Sequence, residues 1–199
     1  MVISLGLDDA PDDPHSGSGG RATPGKGLVV CTGFEEFGGA DGKAHKLTFE
    51  IAAWTDKECV GSEHSENIFH QDRTGKGWPK RRMLVLALAT GIISQAEYAA
   101  AKAQDATIDL DFSKINGRPM KVVLIEQADK DDASKTYINV GGAGIAMYHI
   151  DDPKCKNWPT IAAVENKARS VVGKWVDPKT VAAEPGSGPD PFSGENTPF

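Results

Sequence analysis

The chain has 199 residues, is 39% hydrophobic and carries a net charge of −6. That is enough for one domain with a real core plus low-complexity ends, and it excludes a surface that is basic throughout. No apolar run approaches the roughly 20 residues of a membrane span, the opening MVISLGLDDAPDD has neither the basic nor the apolar region of a signal peptide, and Cys31, Cys59 and Cys155 are too few and too scattered for a disulfide framework.

Residues 1–24 carry four Asp and one Arg among Pro, Gly and Ser, lack periodicity and read as a disordered segment. GLVVCTGF (27–34) is apolar and β-branched and predicts a strand. FGGADGK (37–43) supplies turn signals, and KLTFEIAAW (46–54) alternates, with Leu47, Phe49, Ile51 and Ala53 on one face and Thr48, Glu50, Ala52 and Trp54 on the other. These two strands form a predicted hairpin. ENIFHQ (66–71) predicts a short third strand.

Arg73 to Arg82 reads RTGKGWPKRR, in which five of ten residues are cationic and none is acidic. Phosphates attract Lys and Arg, and bases stack on flat side chains, so a pliable cationic loop around Trp78 suits a single-stranded nucleic acid. Alone, the stretch fits a solvated loop equally well. Pro79 suits the first turn of a helix, and the run after Lys80 predicts a buried helix up to Gly91. Ser94 and Glu97 have capping-box spacing and predict a second helix through AEYAAAKAQ.

TIDLDF (107–112) alternates and predicts an edge strand. GRPMKVVLIEQ (117–127) predicts a turn and a strong strand, followed by strands at TYINV (136–140) and GIAMYHI (144–150), with Gly141 and Gly142 bending the strand or allowing a bulge between them. The fold expected is all-β with a helical insertion: a five-stranded OB-fold barrel over residues 25–152, with helix between strands 3 and 4. An unrelated α+β sheet is the alternative. Residues 153–176 predict an amphipathic helical extension packed through Trp158 or Trp175. Residues 177–199 are Pro/Gly/Ser-rich and read as a disordered tail.

Residues 25–152 have a charge of −4, so any phosphate-binding face must be a local stripe. Its candidate members are Lys46, Trp54, Phe69, Arg73, Lys76, Trp78, Lys80, Arg81, Arg82, Lys121 and Tyr137. Arg81 and Arg82 can instead belong to the helix and point away. Cys59, His64 and His70, with Cys155, match no common zinc spacing, and no metal site is expected from them. Asp109 and Asp111 share a strand face, but a two-metal nuclease site needs carboxylates from several elements. No nucleophile elbow or phosphate-binding glycine motif occurs, so no catalytic residue is assigned.

An opening strand with Phe34, a glycine hairpin into KLTFEI, a basic loop leading into LVLALATG, Gly117-Arg118 before KVVLIE and a closing Tyr137-Ile138-Asn139 strand carry a resemblance. Over residues 25–152 the pattern resembles the phage-encoded single-stranded-DNA-binding proteins of OB-fold type. The end of the chain adds Pro198-Phe199 behind Glu184, Asp190 and Glu195, similar to the acidic, Pro-Phe-closed tails of bacterial single-strand binders. The resemblance implies non-enzymatic, sequence-tolerant binding of single strands in phage DNA replication or recombination, in the cytoplasm of the infected host and without a cofactor. It also implies that Asp190, Glu195, Pro198 and Phe199 contact replication or recombination proteins. An interaction module on the same barrel and a metal-dependent nuclease are the competing readings. Oligomeric state, homo-oligomer included, is open.

Overall fold

A computed structural model describes residues 22–39, 42–69, 78–104, 106–129 and 132–176. The chain runs β1 (Gly25–Gly39), β2 (Gly42–Trp54), β3 (Glu63–Phe69), α1 (Trp78–Ala89), α2 (Gln95–Ala103), β4 (Pro119–Ala128), β5 (Thr136–Val140), the single turn α3 (Gly141–Gly144), the two-residue β6 (Met147–Tyr148) and α4 (Ala162–Val172). The strands form one curled antiparallel sheet in the order β3-β2-β1-β4-β5, a half-barrel, with β6 also paired to β4.

The β1–β2 hairpin follows the expected alternation up to Ile51, beyond which Ala53 joins the back-face cluster of Leu28 and Trp54 the main core. Leu47, Phe49 and Ile51 point inward with no exposed surface, while Lys46 and Glu50 point out. Irregularities between Leu28 and Val29 and between Cys31 and Gly33 interrupt the register. A bulge of this kind re-aims side chains and bends the strand. Val29 joins the main core of Leu47, Phe49, Ile51, Ile68, Leu86, Met120, Val122 and Leu124. Its neighbour Leu28 turns the other way, against Ala53, Ile150, Ala168 and Val172, which seats α4 on the back of the sheet.

The long edges of the half-barrel meet through side chains. Glu66 of β3 accepts from the Val140 N–H of β5 (3.0 Å), and its other oxygen receives the Arg82 guanidinium of α1. Arg82 also donates to the Asn67 carbonyl (3.0 Å) and the Gly144 carbonyl (3.3 Å), fastening α1 across the seam. Arg118 closes the opposite end, donating to the carbonyls of Thr90 (3.0 Å), Gly91 (2.8 Å) and Val171 (3.2 Å), the C-terminal ends of two helices. Gly91, at φ +65, lies so close to the Val172 backbone that no Cβ fits there.

The capping box forms as predicted, with Ser94 N–H donating to Glu97 (2.7 Å) and Glu97 N–H donating to Ser94 Oγ (3.1 Å). Three local expectations fail. Residues 107–111 form no strand, because Asp111 instead caps a 3-10 turn at Phe112–Lys114 and pairs with Lys114 (3.0 Å). The strand expected over 144–150 shrinks to Met147–Tyr148. The glycines before it coil into α3, where Gly142 and Ala143 take positive φ, and do not bulge a strand. The helical extension does pack through Trp158, whose ring meets Tyr148 edge-on (5.4 Å between centroids) with Lys26 Nζ 5.5 Å above it. No helix among the described residues is long and apolar enough to cross a membrane.

Candidate nucleic-acid interface

The cationic stretch joins the end of β3 to the start of α1. Arg73 and Lys76 lie outside the described residues, as do His70 and the tail residues Asp190, Glu195, Pro198 and Phe199. Phe69 is the last residue of β3 and Trp78 the first of α1. Lys80 and Arg81 are exposed on the first turn of α1. The next residue, Arg82, is not a phosphate ligand. Its guanidinium is taken up by Glu66 and two carbonyls, and only 14% of its side chain is exposed.

Trp54 corrects the expectation of an exposed stacking ring. It is 2% exposed and its Nε1 donates to the Thr23 carbonyl (3.2 Å). Alternation places it opposite Leu47 and Phe49, on the face that should be wet. The irregularity that pairs Leu28 with Ala53 but Val29 with Ile51 breaks that period, and on the neighbouring strand Gly25 and Gly27 leave bare backbone, where a Cβ on either would collide with the indole. The ring fills that space and joins the core. Glycines at alternate positions facing an aromatic strand end were the signal in the sequence.

Lys121 is corrected in the same way. It is 4% exposed, with Nζ 3.0 Å from Glu165 Oε1, and donates to the Cys155 carbonyl (3.3 Å). Burial removes it from any contact with phosphate. Arg169 extends the network, bonding Asp151 (2.9 Å) and lying 3.5 Å from Glu165.

Lys46 and Tyr137 are accessible. Tyr137 is 48% exposed near the start of β5, and a hydrogen bond to Asp129 raises the pKa of its phenol. Ile125, across the β4–β5 ladder, is also 40% exposed, and Asn139 donates to Gln127 (3.3 Å) beside it. This hairpin face therefore offers an aromatic ring, an aliphatic side chain and amides. Lys46 sits among carboxylates. Its register partner on β1 is Glu35, and farther along the same face Glu50 of β2 stands opposite Glu63 of β3. The outer face of β2 and β3 thus repels phosphate, whereas Lys80 and Arg81 are exposed on the α1 side of the seam.

Of Cys59, His64, His70 and Cys155, all but His70 are described. Cys59 Sγ lies 3.0 Å from Thr23 Oγ1, whereas His64 tilts against Phe49 (5.3 Å between ring centroids). Among the described residues no three His, Cys, Asp or Glu side chains stand close enough to hold a metal ion. Burial pushes the Cys31 and Cys155 thiols up to about 12, so neither supplies a thiolate near neutral pH. Compared with protein-family profiles and with curated proteins, the chain matches none significantly.

Proposed function

We propose that the chain is a single-stranded-DNA-binding protein on an OB-type barrel, serving phage DNA replication or recombination in the host cytoplasm, without enzymatic activity or cofactor. The observation that carries this reading is the position of the cationic stretch. The stretch has five cations in ten residues with no carboxylate among them, and its last three, Lys80, Arg81 and Arg82, stand at the start of α1 beside the seam of the curled sheet. A partly open five-stranded barrel is a frequent oligonucleotide-binding scaffold, and its loop after the fourth strand is one of its binding elements. Here that hairpin exposes Tyr137.

With Arg82 committed to Glu66, the phosphate ligands of this reading are Arg73, Lys76, Lys80 and Arg81, with Trp78 and Tyr137 as stacking rings. Asp190, Glu195, Pro198 and Phe199 would reach protein partners. The acidic outer face of β2–β3 favours a second reading, a barrel that binds protein in place of DNA.

Fluorescence anisotropy of a labelled oligo-dT, with a duplex as control, separates the two. Four phosphate contacts give log K against log[salt] a slope of about −3 for single strands. Affinity that ignores salt, or none for oligo-dT, would sink the DNA reading in favour of the second.

A further inference from the structure

A groove of about 610 Å³ lies between α1, α2 and the segment that follows them. Lys80 and Met83 of α1, Tyr98 and Lys102 of α2, and Ile108 and Leu110 beyond it line the space. Asp109, between the last two, does not line it. Helix α2 has no buried residue, although Tyr98 and Ala101 turn their half-buried side to the groove. Lys80 and Lys102 are exposed, and neither has an ion-pair partner among the described residues. In an acidic protein, two exposed ammonium groups beside an apolar floor and a phenol ring suit a ligand that is anionic on one side and flat and apolar on the other. A nucleotide has that chemistry.

The groove is also continuous with the cationic stretch, because Lys80 belongs to both. We infer that a bound single strand runs from the seam into the α1–α2 groove, with a base against Tyr98 and phosphates held by Lys80 and Lys102. This inference rests on the single-strand-binding reading and adds two residues, Tyr98 and Lys102, to the strand's path. It also shifts that path off the outer face of β2–β3, where Glu50 and Glu63 oppose it.

The test compares the full chain with its Lys102→Ala, Tyr98→Ala and Tyr98→Phe variants on oligo-dT across a salt series. Lys102→Ala should make the salt slope shallower by about 0.7. Tyr98→Ala should weaken binding roughly 5- to 150-fold, and Tyr98→Phe, which keeps the ring, should restore it. Circular dichroism checks folding. If Tyr98→Ala unfolds, the exposed Lys102 still gives the answer. Wild-type affinity and slope in Lys102→Ala would overturn the inference while leaving the function standing, and no oligo-dT binding by the unaltered chain would remove both. An acidic peptide that binds the chain and is weakened by Lys102→Ala, with oligo-dT binding unmoved, would also overturn it and make the groove a protein-docking site.

Discussion

Lys121 and Glu165 form a buried ion pair, 3.0 Å apart, that joins the middle of β4 to α4. Distance makes it an ion pair, but Glu165 Oε1 receives no aligned hydrogen bond, and Lys121 directs one to the Cys155 carbonyl. Removing one partner strands the other charge in a dry site. Glu165→Ala should therefore destabilise the fold by about 3–5 kcal/mol, whereas replacing both partners by apolar residues of like volume should be near neutral. Urea unfolding of the single and double variants measures both, and equal losses would deny the coupling.

The Glu66–Arg82 contact makes a comparable case at the seam. Glu66 serves β5 and α1 together, and both side chains are mostly buried. Arg82→Lys keeps the charge but loses the planar fork that reaches Glu66, Asn67 and Gly144 at once. The variant should lower the unfolding midpoint clearly, yet leave the salt slope for oligo-dT unchanged under folding conditions. A shallower slope would return Arg82 to the phosphate ligands.

What was legible in the sequence was what local rules decide. The β1–β2 alternation and the Ser94–Glu97 box each depend on residues a few positions apart. What failed depends on distant partners. Lys121 reads as a surface cation until Glu165 arrives from a helix 44 positions later along the chain. Arg82 reads as part of a basic run until Glu66 and Gly144 surround it. Trp54 is turned into the core because the strand period breaks between Ile51 and Ala53, and Gly25 and Gly27 leave room for its ring. The cationic stretch itself was visible as composition, but only the seam distinguishes its structural arginine from its exposed members.

His149 links the end of β6 to the last turn of α4. Nδ1 accepts from the Asp151 N–H (3.2 Å), so Nε2 carries the proton that faces the Val172 carbonyl (3.3 Å). Burial lowers its pKa below the ordinary 6.5, opposed by the Val172 bond and by Asp151 and Asp152, while Arg169 adds to the lowering. The unfolded chain then binds a proton more readily than the folded one. The stabilisation is present above pH 6.5 and is lost as pH falls through the lower folded pKa. Thermal melts from pH 7.5 to 5 should show this decline, and His149→Gln should flatten it. An unchanged profile in the variant would assign the decline to other groups.

Cys31 and Cys155 should resist thiol reagents in the folded protein at pH 8, since burial keeps both as thiols with pKa about 12. Labelling of these two positions should follow global unfolding across a urea series. Rapid labelling of either in the absence of denaturant would show that its packing opens locally.

The four tryptophans allow the single-strand reading to be tested at one residue. Trp54 is sealed in the core, and Trp158 lies between Lys26 and Tyr148. Trp78 opens α1 in the middle of the cationic stretch, between Gly77 and Pro79. If bases stack there, oligo-dT should quench tryptophan emission and duplex DNA should not. Trp78→Phe should remove most of the quenching, while Trp54→Phe should keep it and lower thermal stability, since the Thr23 bond and the cover over Gly25 and Gly27 are lost. Trp78→Ala should weaken binding by roughly 1–3 kcal/mol. Quenching that survives in Trp78→Phe but disappears in Trp54→Phe would mean that DNA binding perturbs the core itself. The stacking role of Trp78 would then be wrong even if the chain binds single strands.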